Sequence, residues 1–196
     1  MAITLRAVTK SFGDKTVLDD INAVFEEASV TCVMGVSGAG KTTLMRVIMG
    51  LEKPDKGEVS GTGRISAVFQ EDRLIEDMSA ADNVKLVLDR SERGIVEGEL
   101  EFLLPSASVY QAVSELSGGM RRRVCLVRAM LKDSDTVILD EPFSGMDDDT
   151  RLRAIEYINT RRRGRTCIVV THLRDDAKAL GAGIYLLTRA GAVATI

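Results

Sequence analysis

Aromatic residues, prolines and histidines are scarce in this sequence, and tryptophan is absent. Aromatic residues make up 4% of the 196 positions. This scarcity argues against a surface on which the bases of single-stranded nucleic acid would stack. The net charge of −3 gives no reason to expect a polyanion or an anionic lipid surface as a partner. We therefore expect no nucleic acid partner.

Cysteines are few, and long apolar runs are lacking. Cys32, Cys125 and Cys167 are far apart and stand among apolar residues, which predicts small buried side chains rather than disulfides or zinc ligands. The longest apolar stretches, such as VTCVMGV, fall far short of the roughly 20 residues that span a bilayer. The N-terminal residues lack the apolar core of a signal peptide. A soluble cytoplasmic protein is expected, and any role at a membrane would require a partner.

Hydrophobic patterns predict alternating strands and helices. Apolar or β-rich stretches predict strands in ITLRAV, TVLDDINAVF, SVTCVMGV, RISAVF, TVILD and TCIVVT, and a hairpin in IYLLTRAGAVATI. Helical spacing predicts helices at about residues 41–49, 150–161 and 174–180. Ser79 and Asp82 resemble a capping box from which a helix continues into NVKLVLDR, and a weaker helix is predicted in VEGELEFLL. TVILD and TCIVVT are short and nearly continuously apolar, as is typical of parallel strands buried on both faces. We expect an α/β core with one helical insertion.

Residues 35–42, GVSGAGKT, match the phosphate-loop pattern G-x-x-x-x-G-K-[ST] between a predicted strand and a predicted helix. Glycines allow backbone N–H groups to converge on phosphate, Lys41 can reach the β- and γ-phosphates, and the Thr42 hydroxyl can ligate Mg²⁺. The alternative is a glycine-rich turn with an accidental lysine, which the flanking strand and helix disfavour. The residues predicted to bind nucleotide here are Gly35, Ser37, Gly38, Ala39, Gly40, Lys41, Thr42 and Thr43.

A pair of carboxylates follows the apolar strand TVILD. Asp140 ends this strand, where it can hold Mg²⁺, and Glu141 can orient and polarise an attacking water. An acidic junction between a strand and a turn is common when it occurs alone. Together with a phosphate loop, the pair predicts hydrolysis of a nucleoside triphosphate.

A basic amphipathic helix is predicted after LSGG, and its start is a second candidate anion site. Unpaired N–H groups and the positive end of the helix dipole meet at such a start, where Ser117, Gly118 and Gly119 stand. The predicted apolar face consists of Met120, Val124, Val127 and Leu131. The basic side chains predicted to lie largely outside that face are Arg121, Arg122, Arg128 and Lys132.

The ordered set GVSGAGKTT, VFQ, LSGGM, VILDEP, SGMD and TH resembles the ATP-binding subunits of ABC transporters over nearly the whole chain. The resemblance implies an α/β fold of one domain, residues 1–196. This fold has a P-loop core with a mixed, largely parallel sheet, an N-terminal antiparallel β-subdomain and a helical subdomain inserted at about residues 71–120. It also implies two chains paired head to tail, with Ser117, Gly118 and Gly119 of each chain facing the γ-phosphate held by the other.

The same resemblance implies roles for three further positions and a site for the adenine base. Gln70 would contact Mg²⁺ or the attacking water, Asp147 would belong to a loop that crosses the dimer interface, and His172 would contact the γ-phosphate. A lone histidine more often has a structural role, but the motifs around His172 favour the contact with phosphate. Phe12 would stack on adenine, with Val17 beside it, although packing of Phe12 in a turn is the alternative. Met120 stands where the family usually has glutamine, a departure of unassigned effect.

The function implied is an ATPase that uses ATP and Mg²⁺ to drive solute transport, with import favoured over export. Expected partners are a second copy of the chain, membrane permease subunits and, indirectly, a solute-binding protein, so the chain would lie on the inner face of the cell membrane. The loop VFQEDRLIEDMSAADNV is similar to that of importer subunits for nitrate, sulfonate or taurine-like solutes. Its Leu74, Ile75 and Met78 are candidate permease contacts or, equally, packed side chains.

Two rival classes remain at this point. An ABC ATPase acting on DNA or ribosomes usually has long coiled coils or two cassettes in one chain, and neither feature is present in this sequence. A nucleotide-binding module without turnover is disfavoured because Lys41, Asp140, Glu141 and His172 are all in place.

Overall fold

The computed structural model describes residues 1–188 and 191–193. The strands are β1 Ile3–Phe12, β2 Lys15–Phe25, β3 Val30–Met34, β4 Lys56–Ser60, β5 Ile65–Val68, β6 Thr136–Asp140, β7 Thr166–Val170, β8 Gly183–Thr188 and β9 Gly191–Val193. The α-helices are α1 Lys41–Ile48, α2 Ala80–Lys85, α3 Val96–Leu103, α4 Gly118–Leu131, α5 Asp148–Arg161 and α6 Arg174–Ala179. Short 3₁₀ helices occupy Arg90–Ile95, Ser106–Ser108 and Val113–Glu115. In this described part of the chain, no helix has the length and apolarity needed to cross a bilayer.

The larger sheet has the strand order β5-β6-β7-β3-β8-β9, and its first five strands are parallel. β6 and β7 are buried at every residue because both faces of this sheet are covered. Val137 and Leu139 face a core shared with α4 and α5, whereas Ile138 and Ile168 face a core shared with α1. β8 and β9 pair antiparallel, as the C-terminal hairpin predicts, and residues 189–190 between them lie outside the described residues.

The smaller sheet is antiparallel, with the strand order β2-β1-β4. Ile3, Leu5 and Phe25 point from it into the α1 side of the larger sheet. β4 is absent from the sequence-based prediction because KGEVS is polar, and four of its five residues are exposed. Its pairing with β1, rather than any local pattern, makes it a strand.

The insertion between β5 and α4 is helical, as predicted. Ser79 caps α2, since its side chain accepts a hydrogen bond from the Asp82 N–H at 3.0 Å. Ala80, Val84 and Leu100 belong to the same apolar cluster as Leu139 of the central sheet. The insertion therefore packs on the sheet without a core of its own, and its treatment as a subdomain at about residues 71–120 stays a prediction.

The predicted placement of Arg122 outside the packed surface of α4 is wrong. Only 3% of this residue is exposed. The helix is covered on a second face, because Cys125 and Ala129 lie three and seven residues after Arg122 and are also buried. Arg121 and Arg128 are partly exposed and Lys132 is exposed, in agreement with the pattern.

Candidate nucleotide-binding site

The loop between β3 and α1 has the geometry of a phosphate cradle. Gly38 and Gly40 have φ of +76° and +97°, the left-handed region that glycine adopts without strain. A Cβ on Gly40 would lie 2.9 Å from the Val17 carbonyl oxygen, so the loop passes close under β2. α1 begins at Lys41, directly after the loop, and its unpaired N–H groups face the region that the glycines leave free.

Lys41 lies folded over this loop. Its Nζ donates to the carbonyl oxygens of Gly35 at 2.8 Å and Val36 at 3.2 Å, and the residue is 8% exposed. The loop thus holds its own ammonium group beside the cradle. A flexible point charge in this position suits the β- and γ-phosphates.

A hydroxyl and a carboxylate meet next to the loop. Thr42 Oγ1 donates to Asp140 Oδ2 at 3.3 Å. Burial raises the pKa of the Asp140 carboxyl, and the neighbouring charge of Glu141 adds to the effect. One surface cavity is lined by Thr42, Gln70 and Asp140 together. These oxygen donors and the buried carboxylate fit Mg²⁺, which takes oxygen ligands and would offset the buried charge.

Glu141 and His172 form a pair at the ends of β6 and β7. His172 Nε2 lies 2.6 Å from Glu141 Oε1, and both side chains are open to solvent in part. Glu141 has φ of +50°, an uncommon conformation for a residue with a side chain. The histidine is therefore not packed in a core, and its predicted contact with a γ-phosphate is sterically open.

A second layer behind His172 is absent from the sequence-based prediction. Thr171 Oγ1 donates to the buried Asp176 carboxylate at 2.6 Å and accepts from the Leu173 N–H at 3.2 Å. Arg151 Nη1, on α5, lies 3.6 Å from Asp176 Oδ1. The turn that carries His172 is thus fixed from both sides. The sequence signal was a threonine before the histidine and an aspartate four residues after it.

The second candidate anion site, predicted from the sequence, lies at the exposed start of α4. Ser117 caps the helix and accepts a hydrogen bond from the Met120 N–H at 3.3 Å. A Cβ on Gly118 would meet nothing within 4 Å, whereas one on Gly119 would lie 2.5 Å from the Gly145 carbonyl oxygen. Met120 packs against the apolar cluster, so it helps to seat the helix.

The loop after β6 ends in a helix cap. The Asp147 side chain accepts the Thr150 N–H at 2.8 Å at the start of α5, and this bond lowers the pKa of its carboxyl. Asp147 itself is exposed, as a residue at an interface between chains would be in one chain alone. Its role in that interface stays a prediction.

Of the two residues predicted to contact adenine, one lies against the phosphate loop and the other is exposed at the end of β1. Val17, on β2, lies against Gly40, because a Cβ on that glycine would be 3.1 Å from Val17 Cγ1. Phe12, at the end of β1, is 49% exposed, and the Lys10 Nζ lies 5.3 Å from its ring centroid. The Phe12 ring is therefore not buried in its turn, and a face of it is accessible for stacking.

The three cysteines are buried, as predicted. Burial raises the pKa of the Cys32 and Cys125 thiols to about 12 and that of Cys167 to about 11. Thiols with such pKa values are inert as nucleophiles at neutral pH. They take no part in the site.

The parallel strands bring the residues predicted to form the site to one edge of the sheet. β3 leads into the phosphate loop, β5 into Gln70, β6 into Asp140 and Glu141, and β7 into His172. Ligands of parallel α/β sheets bind at the carboxyl ends of the strands. Fold and site together define a P-loop nucleoside triphosphatase with an added antiparallel sheet and a helical insertion.

The family model described as ABC transporter matches residues 18–144. The chain belongs to this family, and it is an ATP-binding subunit with ATPase activity. It is 37% identical over 193 residues to aliphatic sulfonates import ATP-binding protein SsuB 1 of Nocardia farcinica, covering 96% of this chain and 79% of that protein. It is 38% identical over 203 residues to aliphatic sulfonates import ATP-binding protein SsuB 1 of Rhodococcus jostii, and the alignment covers 97% of this chain and 81% of that protein.

Solved structures agree with this assignment. The dimeric, post-hydrolysis state of the ATP-binding cassette MJ0796 bound to ADP and Pi has a TM-score of 0.88 at 26% identity, covering 99% of this chain and 97% of that one. An ATP-binding subunit of an ABC transporter has a TM-score of 0.90 at 21% identity, covering 100% and 90%, which shows the shared fold. The predictions of family, fold and ATPase activity are confirmed.

Proposed function

We propose that two copies of this chain close around two ATP molecules, and that hydrolysis of this ATP powers solute import through a membrane permease. The observation that supports the proposal is that one chain presents two glycine-containing helix starts, on different elements, whose geometry suits an anion. One is the loop between β3 and α1, and the other is the exposed start of α4. A two-fold pair lets each chain supply the half that the other lacks.

Binding of ATP is assigned to the phosphate loop and to the edge of β1 and β2. Backbone N–H groups of residues 35–42 and the Lys41 ammonium hold the phosphates, and Phe12 with Val17 receives adenine. Thr42, Asp140 and Gln70 would hold Mg²⁺. When bound, the ion neutralises charge that develops on the β- and γ-phosphate oxygens.

Hydrolysis is assigned to the edge of β6 and β7. The Glu141 carboxylate orients a water and takes its proton while the water oxygen attacks the γ-phosphorus and the bond to ADP breaks. His172 donates towards the γ-phosphate, and its 2.6 Å contact with Glu141 fixes the two side chains relative to each other. Thr171 and Asp176 hold the histidine turn in place.

Movement follows from the loss of the shared phosphate. A γ-phosphate touched by Lys41 of one chain and Ser117 of the other stabilises the closed pair more than the open chains. Only such a difference in affinity can shift the equilibrium between the two states. Removal of the phosphate therefore opens the pair, and Asp147 lies in the loop that crosses the interface.

Contact with the permease is assigned to the loop that follows Gln70. Ile75 is 49% exposed, whereas Leu74 packs against the core cluster and Met78 is partly buried. The fully buried Asn83 accepts the Ile75 N–H at 2.8 Å and donates to the Ile75 carbonyl at 3.0 Å. Asn83 thus fixes the backbone so that the Ile75 side chain faces outwards, where a permease segment could cover it.

The solute class is proposed from the relatives. Proteins named for aliphatic sulfonate import are identical to this chain at more than a third of the aligned positions, so we assign aliphatic sulfonates as the solute. The permease and a solute-binding protein would select it, and the ATPase would sit on the cytoplasmic side of the membrane. Stimulation of the reconstituted transporter's ATPase by an aliphatic sulfonate but not by inorganic sulfate tests the solute class.

The variant Glu141→Gln tests the catalytic assignment. Because the amide cannot take a proton, turnover should fall by roughly 100-fold or more while ATP binding persists and ATP-dependent pairing increases. Phosphate release and light scattering with and without ATP measure the two effects. Glu156→Gln, an exposed glutamate on α5, is the matched control and should behave as the parent. Turnover by Glu141→Gln at the parental rate would show that another group is the base.

A further inference from the structure

Arg122 is a buried cation whose guanidinium has no role in the site described so far. It lies on α4, five residues after Ser117, and its side chain is 4% exposed. A buried charge is costly unless hydrogen bonds and opposite charge compensate it. The groups that surround the guanidinium therefore indicate what it does.

The guanidinium donates to the backbone at two neighbouring strand ends. Nε and Nη2 donate to the Glu141 carbonyl oxygen at 3.0 and 2.9 Å, and Nη2 also donates to that of Asp140. Nη1 donates to the carbonyl oxygens of Phe69 and Gln70, the latter at 3.3 Å. The Asp72 carboxylate, 3.4 Å from Nη1, supplies the opposite charge.

Three of these four carbonyls belong to residues that bear the assigned chemistry, and the fourth belongs to Phe69, next to Gln70. The main chain after β5 carries Gln70, whereas Asp140 is the last residue of β6 and Glu141 follows it directly. Glu141 has φ of +50°, so an unfavourable backbone conformation must be held there by its surroundings. Two of the guanidinium bonds end on the carbonyl of this same residue.

We propose that Arg122 is a positioning residue for ATP hydrolysis, joining the ends of β5 and β6 so that Gln70 and Glu141 keep their places around the γ-phosphate. The inference rests on the proposed role of Glu141. Arginine suits this task because its planar fork presents five donors in fixed directions. Lysine would keep the charge but could not bridge both strand ends.

The arrangement also joins the two halves of the mechanism within one chain. α4 begins at the Ser117 cap, which is assigned to the partner's nucleotide, and Arg122 ties the same helix to the chain's own Glu141. A displacement of α4 on pairing would therefore move the backbone that carries the catalytic carboxylate.

Arg122→Lys and Arg122→Gln test the proposal in the full-length chain. We expect kcat to fall about 10- to 100-fold, because small misplacements of catalytic groups have effects of this size. KM for ATP should stay within about twofold, since the phosphate loop on β3 is untouched. A 10- to 100-fold rise in KM for ATP with an unchanged kcat would overturn the proposal.

Arg165→Lys is the matched structural control. Arg165 also donates to several carbonyls, including those of Met130 at 2.7 Å and Lys132 at 3.1 Å, but it stands at the amino end of β7, away from the catalytic edge. Its loss should lower the melting temperature and leave kcat of the folded protein within about twofold. If both arginine variants lose the same fraction of kcat at matched loss of melting temperature, Arg122 is merely structural.

A double-mutant cycle with Glu141→Gln separates the inference from the function it rests on. If Arg122 acts through Glu141, adding Arg122→Lys to Glu141→Gln should reduce the residual turnover by less than about threefold. A further loss as large as in the parent background would refute the inference alone. Unchanged turnover in Glu141→Gln by itself would instead refute the assigned base.

Discussion

The folded chain disfavours the ionised form of Asp140, the carboxyl group that we assign to Mg²⁺. Burial and the neighbouring Glu141 raise the pKa of its carboxyl, even though Thr42, Arg122 and Lys41 act in the opposite direction. A raised pKa means that folding disfavours the ionised form. The cost is absent below the unfolded-state pKa and fully present above the folded-state pKa. At neutral pH the fold therefore carries a penalty that a bound cation would remove.

Asp140→Asn should raise the melting temperature at pH 7 by about 2 to 4 °C without nucleotide, the response to roughly 1 kcal/mol in a chain of this size. The gain should shrink as pH falls through the folded-state pKa and vanish below about pH 4, where the parent carboxyl is protonated in both states. Thermal unfolding across pH measures this.

In the presence of ATP and Mg²⁺ the parent should melt at a higher temperature than Asp140→Asn, because the variant lacks the carboxylate assigned to the metal. Asp19, an exposed residue on β2, provides the control. Asp19→Asn should leave the melting temperature unchanged both without nucleotide and with ATP and Mg²⁺. A variant that melts below the parent at pH 7 would contradict the account of Asp140.

Residues in local motifs could be predicted from the sequence, and residues that act through the fold could not. Lys41 and Glu141 stand in short patterns next to a strand, so their neighbours along the chain identify them. Arg122 makes its bonds to residues about 18 and 52 positions away, and Asp176 pairs with Arg151 on another helix. No local spacing encodes those contacts.

At the scale of elements, two adjacent glycines at the start of α4 have different roles. One packs against a neighbouring loop, and the other lies on the surface that we assign to the partner's nucleotide. Gly119 lies against the loop after β6, whereas Gly118 has open space where a side chain would begin. A methyl group at each position should therefore produce different defects.

Gly119→Ala should lower stability by about 1 to 3 kcal/mol, because its Cβ would collide with the Gly145 carbonyl and backbone cannot yield cheaply. Gly118→Ala should leave the melting temperature within about 1 °C yet reduce turnover roughly 10-fold or more, since the methyl would occupy the space assigned to the partner's phosphate. Melting curves and phosphate release distinguish the two. Normal turnover in Gly118→Ala would mean that no phosphate meets this surface.

Helices and strands that have a clear local pattern in the sequence could be predicted, and those that depend on distant partners could not. β6 and β7 are mostly apolar, and the capping residue Ser79 marks the start of α2, so both kinds of element follow from the sequence. β4 is polar and becomes a strand only because β1 offers it a free edge. The second buried face of α4 was readable in Cys125 and Ala129, but the row of arginines obscured it.

At the scale of the whole molecule, the central expectation is that two chains share each ATP. Lys41→Ala and Ser117→Arg should each inactivate the pair made of identical chains. In a pair with one chain of each kind, one site carries both defects and the other carries none.

Mixing the two inactive variants in equal amounts should therefore restore up to about a quarter of the parental turnover, because about half of random pairs are mixed and each has one intact site of two. Steady-state phosphate release measures the recovery. Lys41→Ala mixed with the double variant Lys41→Ala/Ser117→Arg contains no intact site and should stay inactive. An absence of recovery in the first mixture would contradict the shared arrangement.

The helical insertion and one face of the central sheet share one apolar cluster, in which Ala80 and Val84 meet the side that carries Leu139. Because of this shared packing, a force applied at the Ile75 loop would not rotate the insertion about a flexible hinge. It must slide interlocked side chains past one another in small steps, which is shear rather than hinge motion. A push from the membrane would then reach the carboxyl ends of the strands as a graded strain.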